Sequence, residues 1–175
     1  MTMKRFVRNC RDLIVLVSVI LGAQMAQASD MEPVTLAPIV HLEATLTIVD
    51  ANGVSHDYTP AQLEEFATYG METTTPWRQE PARFEGILLI DLLAAHGLTD
   101  LDAIEVVAEN DYKSKIERDA WMSGAFMIAT RVDGMAHSRR VRGPLQFVVP
   151  AAAAEAGIVL ERHMVWMART IQPAS

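Results

Sequence analysis

The sequence is almost free of cysteine. Among 175 residues only Cys10 carries a thiol. It precedes the apolar stretch near the N-terminus, whereas a lipid-modified cysteine would follow such a stretch. If the N-terminal region is removed, the remaining chain can form no disulfide, offer no thiolate to a metal and use no cysteine nucleophile.

Patterns for metal binding and for hydrolysis are missing as well. No histidine stands three or four positions from another ligand-type residue in a known zinc pattern, so we predict no metal site. The histidines are His41, His56, His96, His137 and His163. Ser123 and Ser138 lack the flanking glycines of a nucleophile elbow, so the sequence predicts no catalytic triad.

Residues 13–21 form the one marked apolar run, LIVLVSVIL. Basic residues precede it, and Ala26-Gln27-Ala28 follows as a small-x-small cleavage site. This order predicts a secretory signal peptide over residues 1–28 and a mature, periplasmic protein that begins near Ser29. A retained membrane anchor is the alternative, although the run is short for a membrane-spanning helix.

Basic charge is the scarcer charge in this protein. Cleavage after Ala28 would remove four of the 15 basic residues and one of the 22 acidic residues, which leaves a formal net charge of −10. An acidic surface argues against nucleic acid and against anionic lipid as partners.

Turn residues and apolar alternation divide the first half of the mature chain. Residues 29–40 contain proline and show no period, so we predict a flexible lead before a domain over residues 41–175. Strands are predicted at 42–49 and 54–58, joined by a turn at Asn52-Gly53. Thr59 and Pro60 are typical of an N-cap and the first position of a short helix.

The stretch 73–97 is the centre of the predicted fold. Three threonines end at Pro76, which indicates a strand that runs into a loop at Trp77. A turn is predicted at Phe84-Glu85-Gly86. Leucines at 89, 92 and 93 then indicate a short helix with one buried face, which ends at Gly97.

The rest of the chain alternates short strands with turns. Strands are predicted at 103–108, 113–116, 126–132, 145–149 and 163–171, and a short helix at 151–156. Asp133-Gly134 is a hairpin turn, and Trp121 and Trp166 are assigned to the core. The whole predicts an α+β domain in which a mixed, barrel-like sheet is the core and the helices are few and short.

These motifs together resemble the sulfite-oxidase-type molybdopterin-binding fold, and in particular its small, stand-alone, exported members. The similarity rests on Trp77, the leucine-rich helix that ends at Gly97, and further segments that follow in order. Together these cover roughly residues 42–171. The further segments are Asn110-Asp111-Tyr112, Val132-Asp133-Gly134, Arg142-Gly143-Pro144-Leu145, Val149-Pro150 and Trp166.

The resemblance implies a molybdenum site, from which this sequence departs. Enzymes of this type hold the metal through a pterin dithiolene and one cysteine thiolate ahead of the same helix. Thr73 stands at the inferred position, and its hydroxyl is a hard, neutral ligand where the site uses a soft thiolate. We therefore expect no molybdenum, while a pterin pocket remains compatible with the sequence.

A pterin needs faces to stack on and polar groups in the plane of its ring. Trp77 and Tyr112 can supply faces, while the amide of Asn110 and the carboxylate of Asp111 can bind the ring edge. The full predicted ligand site is Thr73, Thr75, Trp77, Asn110, Asp111, Tyr112, Arg139, Arg142 and Gly143. Each has a structural alternative: packing for the aromatic residues, turn geometry for 110–111 and a solvated or salt-bridged face for the arginines.

Three functions stay open at this stage. The first is an exported, non-catalytic binding protein for a pterin-type ligand, with a sensor domain of the inner membrane as a partner that the family resemblance suggests. The second is a molybdopterin-dependent oxidoreductase with an atypical metal ligand. The third is an interaction domain without a ligand.

Overall fold

The computed structural model describes residues 31–122, 126–157 and 159–174. The predicted signal peptide lies outside these residues, as does Ser123. Within the described ranges there is no helix that is both long enough and apolar enough to cross a membrane.

The described residues form eleven strands and four short helices, joined by turns and loops. The strands are β1 (Met31–Pro33), β2 (Leu46–Val49), β3 (Ser55–Tyr58), β4 (Thr68–Thr75), β5 (Arg78–Leu88), β6 (Ala103–Ala108), β7 (Lys113–Glu117), β8 (Met127–Val132), β9 (Met135–Ala136), β10 (Gln146–Val148) and β11 (Ala168–Pro173). The helices are α1 (Pro60–Leu63), α2 (Leu89–Ala95), α3 (Arg118–Met122) and α4 (Ala151–Glu155), and 3₁₀ turns lie at Arg139–Val141 and Glu161–His163.

The strands form two open sheets. The first has the order β1-β4-β5-β8-β10, with β9 added beside β8, and the second has the order β3-β2-β11-β6-β7. All pairs are antiparallel except β11 with β2. The α+β class is confirmed, but the barrel-like core is wrong: among the described residues each sheet ends in strands that pair on one side only, so neither sheet closes.

Alternation along the central strand β8 separates two apolar layers. Ile128 belongs to the main core, which β2, β6, β11 and the buried face of α2 also fill. Met127 and Ala129 point to the other side of the first sheet, where Phe84 and Met71 complete a smaller cluster. The first sheet is therefore covered on both faces, which explains why β8 is buried along its whole length.

Several turns and caps that local signals in the sequence predicted are confirmed. The Asn52-Gly53 turn joins β2 and β3, and Gly53 has a φ of 82°. Thr59 caps α1 in a capping box with Gln62. α2 buries Leu89, Leu92 and Leu93 as predicted, and Gly97 ends it with a φ of 67°.

The predicted turn at Phe84-Glu85-Gly86 is wrong, because these residues lie inside β5, an 11-residue strand between β4 and β8. Gly86 allows β5 and β8 to pack closely, because a Cβ at this position would stand 2.1 Å from the carbonyl oxygen of Ile128.

Strand boundaries also differ from the prediction. β2 begins at Leu46 rather than at residue 42, and β11 begins at Ala168 rather than at residue 163. Within the predicted lead, residues 31–33 form β1 and pair with β4. Alternation alone could not reveal this pairing, because the partner strand lies about 40 residues further along the chain.

Candidate functional site

Four loops meet at one end of the two sheets. Trp77 lies on the two-residue turn between β4 and β5, where Thr75 pairs with Arg78. Asn110 lies on the turn between β6 and β7. Arg142 follows the 3₁₀ turn at Arg139–Val141, and Trp166 precedes β11. The site is therefore made from short turns on rigid strands, which hold their side chains in place.

The first cavity at this end has a volume of about 400 Å³. Its walls are mainly aromatic and apolar, with an amide, a carboxylate and a guanidinium at the edges. The lining residues are Trp77, Ala108, Asn110, Tyr112, Glu161, Arg162, Met164 and Trp166. The volume falls in the range of small-molecule sites, roughly 300–1,000 Å³, and the apolar wall with few polar groups is typical of them.

A cation–aromatic stack stands beside this cavity. The guanidinium carbon of Arg142 lies 5.1 Å from the centroid of Trp77 and 5.8 Å from that of Trp166. The Arg142 backbone is left-handed, with a φ of 75°, and its carbonyl oxygen accepts a hydrogen bond from the backbone amide of Met167 at 3.2 Å. This contact ties the 138–143 loop to the segment that carries Trp166.

A second cavity, of about 280 Å³, adjoins the first because Trp77 lines both. Its walls carry more charge. It is lined by Thr75, Trp77, Arg78, Phe84, Val132, His137, Arg140, Val141, Arg142 and Gln146. The two cavities together therefore offer an aromatic compartment next to a cationic one.

His137 is a buried polar group of the second cavity. It is 2% exposed, and its Nε2 donates to the amide oxygen of Gln146 at 2.9 Å, while its Nδ1 has no hydrogen-bond partner among the described residues. Burial lowers the pKa of His137, so the ring is neutral near pH 7. Gly143 allows this packing, since a Cβ there would stand 2.3 Å from the carbonyl oxygen of His137.

The 110–112 turn is divided between the cavity and the outer surface. Asn110 accepts a hydrogen bond from the Tyr112 amide at 3.2 Å, and both residues line the first cavity. Asp111 has a φ of 63° and lines neither cavity; its carboxylate accepts from Arg169 at 3.2 Å on the surface. The structure thus brings Asn110 and Tyr112 to Trp77 but places Asp111 outside.

Arg139 also lies apart from the cavities. Its Nε and Nη2 donate to the two carboxylate oxygens of Glu109 at 3.1 and 2.8 Å. The hydrogen bonds to Glu109 raise the pKa of Arg139. The guanidinium of Arg139 is therefore already bound to a carboxylate. The arginine that reaches Trp77 is Arg142.

Thr73 does not fit the role of a metal ligand. Its side chain is buried inside β4, and its Oγ1 donates to the carbonyl oxygen of Val149 at 2.9 Å. A hydroxyl with its proton in a buried hydrogen bond is not a ready metal ligand. Across the described ranges, moreover, no group of three or more His, Cys, Asp and Glu side chains is arranged to hold a metal ion. Thr75 is buried as well and lines the second cavity.

A ring ligand fits the remaining residues better than a metal does. Trp77, Tyr112 and Trp166 present faces, Asn110 presents an amide, and Arg162 presents a guanidinium at the first cavity. These residues would hold a pterin by stacking and by hydrogen bonds in its plane.

Sequence reasoning missed part of the site. Trp166 was assigned to the core, yet it lines the first cavity and stacks on Arg142; Trp121 is in the core as expected. The segment with Glu161, Arg162 and Met164 carried no motif. Its contribution depends on the 3₁₀ turn at Glu161–His163, which packs beside β7 and which no local periodicity signalled.

Three histidines predict a pH dependence of stability. Burial lowers the pKa of His96, His137 and His163. The unfolded chain then binds more protons than the folded chain as pH falls below about 6.5. The free energy of unfolding should therefore be close to its maximum at pH 7.5 and decrease as pH falls from 7.5 to 5.5. The slope should be at most about 1.4 kcal/mol per pH unit for each histidine.

Urea unfolding at several pH values measures this slope. His137→Gln should flatten it, because glutamine does not titrate and keeps a side-chain amide in the same place. A variant at His137 with the wild-type slope would contradict the assignment.

Among three comparisons with known proteins, only the comparison with solved structures found a match. No family model matches this sequence, and no curated protein matches it. The crystal structure of the sulfane dehydrogenase SoxCD from Paracoccus pantotrophus is similar, with a TM-score of 0.58 and 14% sequence identity. The similarity covers 76% of this chain and 39% of that chain. At this identity the similarity shows the fold alone: the matched part of this chain shares its fold with the matched part of that structure.

Proposed function

We propose that this protein is an exported, non-catalytic binding protein for a flat heteroaromatic ligand of the pterin type. The observation that carries the proposal is the cavity of about 400 Å³ in which Trp77, Tyr112 and Trp166 surround a few polar groups. Aromatic faces bind a flat ring through stacking and apolar burial, and they do so for neutral rings as well as charged ones.

The polar groups support a ring with both donors and acceptors at its edge. The amide of Asn110 can donate and accept, the guanidinium of Arg162 can donate, and Glu161 can accept from an amino group. A pterin presents a carbonyl oxygen, ring N–H groups and an amino group on one edge. The chemistry of the cavity is thus complementary to that edge.

The states of Thr73 and His137 favour binding over catalysis. Thr73 stands where the resemblance implies a metal ligand, and its hydroxyl is committed to Val149. His137 is neutral, buried and hydrogen-bonded to Gln146. The bound ligand would therefore be presented or sensed, and the family resemblance suggests the periplasmic domain of an inner-membrane sensor as the partner.

Calorimetry with a planar reduced pterin such as 7,8-dihydrobiopterin is the direct test. We expect the wild type to bind, and Trp166→Leu to weaken binding about 2- to 13-fold through loss of about 0.5–1.5 kcal/mol of stacking. Trp121→Leu is the matched control, because this tryptophan lies in the core away from the cavities; it should lower the melting temperature without a specific loss of affinity in the folded protein.

Asp111→Asn provides a second control on the outside of the same turn. Its carboxylate pairs with Arg169 at the surface and lines no cavity, so the affinity should stay within about twofold of the wild type. No binding to the wild type, or equal affinity of the wild type and Trp166→Leu, would overturn the proposed function.

The second candidate function is a molybdopterin-dependent oxidoreductase, which the similarity in fold to a sulfane dehydrogenase favours. Elemental analysis of protein purified from its native periplasm separates the two. We expect molybdenum far below one atom per chain, with a mature N-terminus at or near Ser29. A stoichiometric amount would support the enzyme. Mass spectrometry of small molecules released from the same sample distinguishes a ligand-binding protein from an interaction domain without a ligand.

A further inference from the structure

The chain itself occupies part of the space that Trp77 and Trp166 border. The guanidinium of Arg142 lies over both indoles, with its central carbon 5.1 Å from one ring centroid and 5.8 Å from the other. A planar cation at such distances is attracted by the negative faces of both rings. We call this space, bounded by Trp77 and Trp166, the indole slot. A slot that holds a planar guanidinium has the shape and electrostatics to hold another flat, electron-poor group.

Arg142 has few other interactions that hold it there. Its Nε is buried without a hydrogen-bond partner, and its side chain forms no ion pair within the described ranges. Other arginines of the chain are held by carboxylates, for example Arg139 by Glu109 and Arg131 by Glu64. Arg142 also has a left-handed backbone, at a φ of 75°, which costs a non-glycine residue free energy. The stack on the two indoles is thus its main anchor.

The neighbouring cavity gives the guanidinium a place to move to. Trp77 is the wall common to both cavities, Trp166 faces the first and Arg142 faces the second. The side chain can leave the indole slot toward the second cavity while the backbone contacts of the loop, such as the hydrogen bond from Met167 to Arg142, stay in place.

We infer that Arg142 is an internal occupant of the indole slot which a ligand ring must displace, so that this one side chain opposes ring entry and sets the selectivity of the slot. This inference rests on the proposed function and deepens it. The ligands that compete best are flat groups that are cationic or electron-poor and resemble guanidinium at one edge. Electron-rich or non-planar groups of the same size compete poorly, because they lose the attraction to the indole faces.

A rescue experiment tests the slot without any pterin. Arg142→Gly removes the side chain and suits the left-handed backbone, so the variant should fold. Methylguanidinium at low millimolar concentration should raise its melting temperature and change its tryptophan fluorescence. The wild type should show neither effect, because Arg142 already occupies its slot. Arg142→Gly combined with Trp166→Leu should show no rescue, and methylammonium at equal ionic strength is the control for charge alone. Equal responses of the wild type and Arg142→Gly would overturn the inference.

Ligand affinity tests the displacement itself. The planar 7,8-dihydrobiopterin should bind Arg142→Gly about 5- to 30-fold more tightly than the wild type, which corresponds to the loss of one competing cation–aromatic stack. Arg142→Lys should lie between the two. Weaker binding by Arg142→Gly would overturn the inference and make Arg142 a direct ligand contact. If no variant binds the pterin, the proposed function fails, while the methylguanidinium experiment still decides whether the slot exists.

Discussion

Gly86→Ala should strongly destabilise the fold. The new Cβ would stand 2.1 Å from the carbonyl oxygen of Ile128 and 2.9 Å from the Cα of Ala129. Both atoms belong to the backbone of the neighbouring strand β8, which cannot move without breaking the centre of the first sheet. We expect a loss of about 3 kcal/mol or more, the upper end for overpacked positions, in urea unfolding followed by circular dichroism.

Gly53→Ala is the matched comparison for this substitution. Gly53 has a φ of 82° with nothing within 4 Å of an added Cβ, so only the left-handed backbone opposes alanine. Its cost should be about 1–2 kcal/mol. If both variants lose the same small amount, β5 and β8 do not approach each other as closely as the structure shows.

Removal of Arg131 is the second substitution with a large expected effect. Arg131 is buried in β8 and donates through Nε to Glu64 at 2.8 Å, and its Nη2 donates to the other oxygen of the same carboxylate. Thr130 also donates to Glu64, at 2.6 Å, and His41 lies 3.2 Å away. Although burial opposes ionisation, these partners lower the pKa of Glu64.

Arg131→Met should therefore leave a buried carboxylate with too few partners. We expect a loss of about 3 kcal/mol, the lower end for a broken buried pair, because Thr130 and His41 remain. The loss should shrink as pH falls below about 4, where Glu64 in the variant becomes protonated. Urea unfolding at pH 7 and pH 4 measures both effects.

Two controls make this prediction specific. The double variant Arg131→Met, Glu64→Leu removes both charges and should recover most of the loss. Arg83 and Glu32 form an exposed pair at 2.8 Å, and Arg83→Met should cost less than about 1 kcal/mol. A loss at Arg131 as small as that at Arg83 would mean that the buried pair does not contribute to stability.

Some residues of the candidate site could be predicted from the sequence, and others could not. Trp77, Asn110 and Tyr112 were identified from their chemistry and from their positions next to strands, and the structure brings them to one cavity. Asp111 was chosen by the same argument and points away, because a positive φ turns its side chain to the surface. Trp166 could not be distinguished from a core residue, since its neighbours come from distant parts of the chain.

The sequence by itself determined the features that depend on near neighbours in the chain. Asn52-Gly53, the capping box at Thr59 and Gly97 after α2 each act over a few residues through positive φ values or local hydrogen bonds, so their outcome does not depend on the rest of the fold.

Only the tertiary structure decided the features that depend on distant segments. The pairing of β1 with β4, the parallel contact of β11 with β2 and the continuation of β5 through Gly86 follow from which strands find each other. The same holds for the indole slot, whose walls Trp77 and Trp166 are separated by nearly 90 residues and whose occupant Arg142 comes from a third loop. The physical reason is that contacts between distant segments are selected by the burial of the whole core, which no short stretch of sequence encodes.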